Sequence, residues 1–165
     1  MSILFLDHDG VLCLAQNWGT RQKNGSDFDD FDQKAVDALN YIIMQTGCFI
    51  VVSSDWRHHT TLEEMRTLYF QRGVKMQPIG FTPNNRFSGR ASLEADRVLE
   101  IQDWLSQHNM GTKFTHQHPN RKPKWCAVDD MDLSALGDEH FVQCTHSREG
   151  IKQTGIKEKI IKRLL

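Results

Sequence analysis

The chain has no apolar run approaching the length of a membrane span, so no spanning helix is expected. No signal-peptide pattern precedes Ile3, and the strand-like start there sets two expectations: that nothing is removed for export, and that the protein is cytoplasmic. An excess of either charge is also missing. Twenty Lys plus Arg stand against 21 Asp plus Glu, a formal net charge of -1. That excludes a global basic field for nucleic acid, although not a local patch. Cysteine is sparse, and Cys13, Cys48, Cys126 and Cys144 fit no CxxC spacing. Three of them (Cys48, Cys126 and Cys144) lie in or beside apolar runs, where a free thiol behaves as a small hydrophobe, so buried, reduced cysteines are expected. His116 and His118 form an H-x-H pair, a weak zinc signal without paired cysteines. No repeat, low-complexity tract or linker divides the 165 residues, which read as one domain, 1–165, able to bury a real core.

What is present is organised around Ile3-Leu4-Phe5-Leu6-Asp7-His8-Asp9-Gly10. Four apolar residues suit a buried strand, and they end in two carboxylates one residue apart. Carboxylates that close shift each other's pKa unless a cation sits between them. A hard, oxygen-seeking ion is called for, with Mg²⁺ the leading candidate. Gly10 lets the backbone leave the strand in a conformation other residues resist. An acidic turn after a surface strand would use the same residue types.

The remaining chain weighs against the plain turn. Polar residues through Asp32 read as a flap-like insertion over 12–32, and Asp32 can cap a helix over 33–45 whose Ala35, Val36, Leu39, Ile42 and Ile43 share one face. Cys48 to Val52 is a second buried strand, ending in Ser53-Ser54-Asp55-Trp56-Arg57. A capping box at Thr60 or Thr61 opens a helix to about Gln71, and Val74 to Phe81 is expected to form a short third strand, interrupted by Pro78. A helix from about Leu93 to His108, a strand Trp125 to Val128 ending in Asp129-Asp130, a strand Phe141 to Cys144 and a helix Ile156 to Leu165 complete the chain. Strands alternating with helices predict an α/β fold: a three-layer, Rossmann-like parallel sheet of about five strands, helices on both faces and no large cap domain. Ligands of such sheets bind at the carboxyl ends of the strands. Three strands here deliver Asp7 and Asp9, Ser53 and Ser54, and Asp129 and Asp130 to that edge.

A carboxylate beside a divalent ion can act as a nucleophile toward a phosphoryl group. A second carboxylate two residues on can protonate the leaving alkoxide and later activate water. Hydroxyl and backbone N–H groups, completed by a cation, can hold phosphate oxygens.

This set resembles the haloacid dehalogenase (HAD) superfamily, whose phosphatases use four dispersed motifs. The resemblance implies Asp7 as nucleophile, Asp9 as general acid/base, and Ser53 (or Ser54, one register away) as the phosphate-binding hydroxyl. Asp129 and Asp130 would join Asp7 on Mg²⁺, with Asp9 contributing its backbone carbonyl. Arg97 fits the place of the family's third-motif cation and would bind phosphate, with Arg90, Lys122 and Lys124 as competitors. The wording of Ser53-Ser54-Asp55-Trp56-Arg57, Gly80-Phe81-Thr82-Pro83 and Arg97 with Glu100-Ile101-x-x-Trp104-Leu105 is similar to the HAD branch associated with RNA-repair proteins. The expectation is a Mg²⁺-dependent phosphohydrolase working through an aspartyl-phosphate on nucleotide or nucleic-acid terminal phosphates. The alternative is a non-catalytic phosphate- or protein-binding module on the same fold. Trp56 is expected to pack over the sheet, and Arg57 to reach either the substrate phosphate or a neighbouring charge. His8, pointing opposite to the aspartates, is expected to pack or hydrogen-bond rather than ligate. The basic loop 113–124 reads either as a contact for a nucleic-acid backbone or as a solvated loop.

Overall fold

Ser2–Leu6 forms β1, every residue of it buried, at the centre of a five-stranded, all-parallel sheet. The computed structural model describes residues 1–84, 92–110 and 123–165. In chain order β1 is followed by a 3₁₀ turn Ala15–Asn17, α1 (Thr20–Asn24), α2 (Gln33–Thr46), β2 (Phe49–Val52), a 3₁₀ turn Asp55–His59 and α3 (Leu62–Gln71). Then come β3 (Gly80–Phe81), α4 (Leu93–Gln107), β4 (Lys124–Asp129), β5 (Phe141–Gln143) and α5 (Ile156–Leu164). The sheet order is β3-β2-β1-β4-β5. The chain thus adds β2 and β3 on one side of β1 and returns to place β4 on the other. That reversal opens a crevice between the carboxyl ends of β1 and β4, where sheets of this kind bind ligands.

The pleat of β1 divides the core into two layers. Leu4 and Leu6 join Val36, Leu39 and Ile42 of α2, Met65 and Tyr69 of α3 and Ile160 of α5. Ile3 and Phe5 join Ile101, Trp104 and Leu105 of α4 on the opposite face. Trp104 and Trp125 both meet the Phe5 ring edge-on, at 5.4 and 5.8 Å. The helix starts follow the expected chemistry. Asp32 accepts a hydrogen bond from the Ala35 N–H, and of the two threonines it is Thr61 that caps α3, accepting from the Glu64 N–H.

The third strand is shorter than its apolar stretch suggests. Only Gly80 and Phe81 pair with β2, opposite Val51 and Val52. Pro78 has no N–H to give a ladder, and Val74 enters the core without joining one. Between β1 and α2 the chain makes only two short helical turns, and among the described residues no large cap covers the sheet's carboxyl edge. All four cysteines are buried and unpaired. Among the described residues no helix is long and apolar enough to cross a membrane.

Candidate active site

Strand register brings the site together. Leu6 lies opposite Val52 on one side and Val128 on the other, so Asp7, Ser53 and Asp129 are each one residue past the same rung. The ladders continue beyond the strands: the Asp7 N–H donates to Val128 O and the Ser53 N–H to Leu6 O. Leu6, Val52 and Val128 all face the α2 layer. Alternation therefore sends the next side chains toward the α4 layer, from which Arg97 approaches.

Asp7, Asp129 and Asp130 each offer a carboxylate oxygen within 4.8 Å of the others. Arg97 Nη1 donates to Asp129 Oδ2 at 2.8 Å and lies 3.4 Å from Asp7 Oδ2, while Nη2 reaches Asp55 Oδ1 at 3.1 Å. Burial, then the charge of Asp129, raises the Asp7 carboxyl well above the usual range. Burial and Asp129 likewise push Asp130 up to about 6. Burial would lower the Arg97 guanidinium, but Asp7 and Asp129 beside it hold it above its ordinary value. One guanidinium thus faces three clustered carboxylates. The surplus negative charge and the all-oxygen donor set fit a hard divalent cation, with Asp7, Asp129 and Asp130 as its side-chain ligands.

The Asp9 carboxylate lies apart from this cluster. It is exposed to solvent, and its Oδ2 accepts from the Trp56 indole N–H at 3.1 Å. Partial desolvation raises the Asp9 carboxyl, against the pull of the Trp56 N–H and the Cys13 thiol. His8, between the two aspartates, turns back into the core, where Nε2 is 2.6 Å from the Tyr69 hydroxyl. Burial, followed by Arg72 and Arg97, lowers it to about 3, which keeps the ring neutral. Gly10 has φ +77°, and a Cβ there would stand 2.6 Å from Asp130 Oδ2. Its lack of a side chain is what lets the turn after β1 lie against the turn after β4.

The two serines differ in their surroundings. Ser54 Oγ accepts from the Trp56 N–H and caps the 3₁₀ turn, whereas Ser53 shares the rung of Asp7 and Asp129. Arg57 is fully engaged below the surface. It donates to the carbonyls of Ser53, Ser54, Thr82 and Pro83 and pairs with Glu100 at 2.8 Å. Of its two expected roles it takes the neighbouring charge. Lys124 opens β4 while Asp129 closes it, roughly 17 Å apart at about 3.3 Å per residue, so Lys124 stands at the sheet's opposite edge. Arg90, Lys113, His116, His118, Arg121 and Lys122 lie outside the described residues. Sequence reasoning missed Asp55 as a partner of Arg97 and Trp56 as the partner of Asp9. The only available signal was their place in the segment directly after Ser53-Ser54.

No curated protein and no solved structure matches the chain. The family model described as the HAD domain in Swiss Army Knife RNA repair proteins matches residues 3–155. The match spans nearly the whole sheet and takes in Asp7, Asp9, Ser53, Arg97, Asp129 and Asp130, and the chain belongs to this family of HAD domains.

Proposed function

We propose that the protein is a Mg²⁺-dependent phosphohydrolase that acts through an aspartyl-phosphate on Asp7, with terminal phosphates of nucleic acid as its substrate class. The observation that carries this reading is the separation of two nearby carboxylates into different surroundings. Asp7 is buried against Arg97 and the other acids, whereas Asp9, two residues on, faces solvent and is held by an indole N–H. Such a division suits one carboxylate as nucleophile and the other as proton carrier.

In the first step an Asp7 oxygen forms a bond to phosphorus. The bond to the leaving oxygen breaks, and that oxygen takes the Asp9 proton. In the second step Asp9 accepts a proton from water as the water oxygen attacks the same phosphorus. The bond to Asp7 breaks, phosphate departs and the carboxylate is restored. Ser53 and Arg97 flank Asp7 and are assigned to the phosphate oxygens. Mg²⁺ held by Asp7, Asp129 and Asp130, with the Asp9 carbonyl, would neutralise charge on the phosphoryl oxygens. The nucleic-acid assignment rests on the RNA-repair proteins in which this domain family occurs, and on the lack of a large cap among the described residues.

The test compares wild type with Asp7→Asn on 4-nitrophenyl phosphate and on 3′- and 5′-phosphorylated oligonucleotides in Mg²⁺. Wild type is expected to turn over both classes and Asp7→Asn neither. Oligonucleotide cleavage should fall more steeply with added salt, because only that substrate releases counterions. Wild-type turnover by folded Asp7→Asn refutes the nucleophile. Equal salt slopes remove nucleic acid and leave a small-molecule phosphatase. Mg²⁺-dependent binding of vanadate without any turnover would make the domain a binding module.

A further inference from the structure

The ring that holds Asp9 is itself held on every side. Trp56 is only 8% exposed. Its backbone N–H is fixed by Ser54 Oγ at 3.2 Å, and the edge of His8 meets its ring at 4.8 Å. Phe28 stacks on it at 4.6 Å and 12°, and Phe31 at 5.7 Å and 21°. Both phenylalanines come from the segment 12–32, and that segment is latched to α3's C-terminal end by Arg72. Its guanidinium donates to the carbonyls of Phe28 and Asp29 and lies over the Phe31 ring at 4.5 Å. The indole therefore has one orientation, and in it the N–H reaches Asp9 Oδ2 at 3.1 Å.

An indole N–H donates and never accepts. It can engage Oδ2 whether the Asp9 carboxyl carries a proton or not, so it holds the acid in place through both states. We propose that Trp56 is the positioning residue for Asp9, and that the stacked segment 12–32 sets the orientation of the acid through the indole. This inference rests on the hydrolase reading above. It adds that proton delivery depends on a residue 47 positions away that is itself assigned to neither the phosphate nor the metal. Of the two Asp9 steps, the one that distinguishes substrates is the protonation of the leaving oxygen, which matters for a poor leaving group such as an alkoxide and little for a nitrophenolate.

The experiment measures kcat and KM of wild type, Trp56→Phe and Asp9→Asn on an alkyl phosphate and on 4-nitrophenyl phosphate. Trp56→Phe keeps a ring in the stack and removes the donor. The alkyl-to-nitrophenyl ratio of kcat should fall at least about tenfold, carried by kcat rather than KM. Adding Trp56→Phe to Asp9→Asn should cost the alkyl ester little more, because both changes remove the same proton delivery. Phe28→Ala, which unstacks the indole from the half-buried side, is a second variant less exposed to folding failure and should lower the same ratio. A readout free of turnover accompanies these. The Trp56 indole N–H signal in a ¹H–¹⁵N spectrum, assigned by its loss in Trp56→Phe, should move in Asp9→Ala while those of Trp104 and Trp125 stay. If the wild type hydrolyses both esters and the ratio is unchanged in Trp56→Phe and Phe28→Ala, this inference falls and the hydrolase reading stands. An unmoved Trp56 signal also overturns it. If the wild type hydrolyses neither ester, the hydrolase reading falls and takes this inference with it.

Discussion

Gly10→Ala separates backbone strain from steric crowding at the candidate metal site. Gly10 sits at φ +77°, where an alanine costs roughly 1–2 kcal/mol. Its new Cβ would also stand 2.6 Å from Asp130 Oδ2 and 2.7 Å from Asp130 Cβ. A carboxylate can swing away, but the Asp130 Cβ is fixed to the backbone, so the turn after β4 has to shift. Overpacking of that kind costs about 1–3 kcal/mol. The total of about 2–5 kcal/mol corresponds to a fall in Tm of roughly 4–20 °C for a chain of this length. Gly47→Ala is the control. Gly47 has φ +63° at the end of α2 with nothing within 4 Å of a Cβ, so it carries the strain alone, about 1–2 kcal/mol. The assay is differential scanning calorimetry of wild type and both variants, with and without Mg²⁺. Binding to the native state alone raises Tm by mass action. Gly47→Ala should keep the Mg²⁺-induced rise and Gly10→Ala should lose most of it, since the displaced residue is a proposed ligand. If Gly10→Ala melts no lower than Gly47→Ala, or keeps the full Mg²⁺ shift, the reasoning from the Asp130 contact is wrong.

Two further outcomes follow from buried groups. His8 titrates near 3 when folded against an ordinary 6.5, so the unfolded chain binds the proton first; the stabilisation is complete above pH 6.5 and is lost as pH falls toward 3. That amounts to about 2 kcal/mol between pH 6.5 and 5 at about 1.4 kcal/mol per unit, and urea titrations of wild type and His8→Gln should differ in slope by about one proton, equal slopes refuting it. Arg57→Met removes the donor to four carbonyls and the guanidinium paired with the buried Glu100; urea unfolding should show a loss of about 3–5 kcal/mol, and a loss under 1 kcal/mol would show the network to be dispensable.

The parts of the site carried by strand ends could be read from the chain, because an apolar run ending in a carboxylate marks both the strand and its exit. Asp7 and Asp129 come from such runs, and their convergence needed only a parallel sheet. Which of Ser53 and Ser54 stands beside Asp7 could not be read, since it depends on Leu6 pairing with Val52, and pairing is not local information. The Trp56–Asp9 contact was hidden for a related reason. Trp56 was expected to pack, and it does, among Phe28, Phe31 and His8. Nothing in the local pattern says where the one polar atom of a packed indole will point. Arg97 could be placed by its position ahead of the β4 strand, but Asp55 as its third partner follows from the 3₁₀ turn, which the chain disguises as polar loop. The third strand is shorter than the apolar stretch from Val74 suggests because Val74 and Met76 are apolar for packing rather than for pairing.

The electrostatics of the β1–β4 crevice explain why the site lies there and why it resists relaxation. Asp7 and Asp129 are carried on adjacent strands whose ladder bonds run on beyond the last paired rung, so the two backbones cannot move apart without breaking the centre of the sheet. Arg97 is also constrained, because its other amino group is tied to Asp55. Repulsion among Asp7, Asp129 and Asp130 therefore has only two outlets: a bound proton or a bound cation. Burial and the charge of Asp129 raise both the Asp7 and the Asp130 carboxyls, the mark of that repulsion. Each proton, however, cancels one charge and blocks one donor oxygen. A divalent ion relieves all three carboxylates at once and leaves their oxygens engaged. The rigidity of the sheet leaves a cation as the outlet that suits all three, and the same rigidity would keep Asp7 aligned once the charge is relieved.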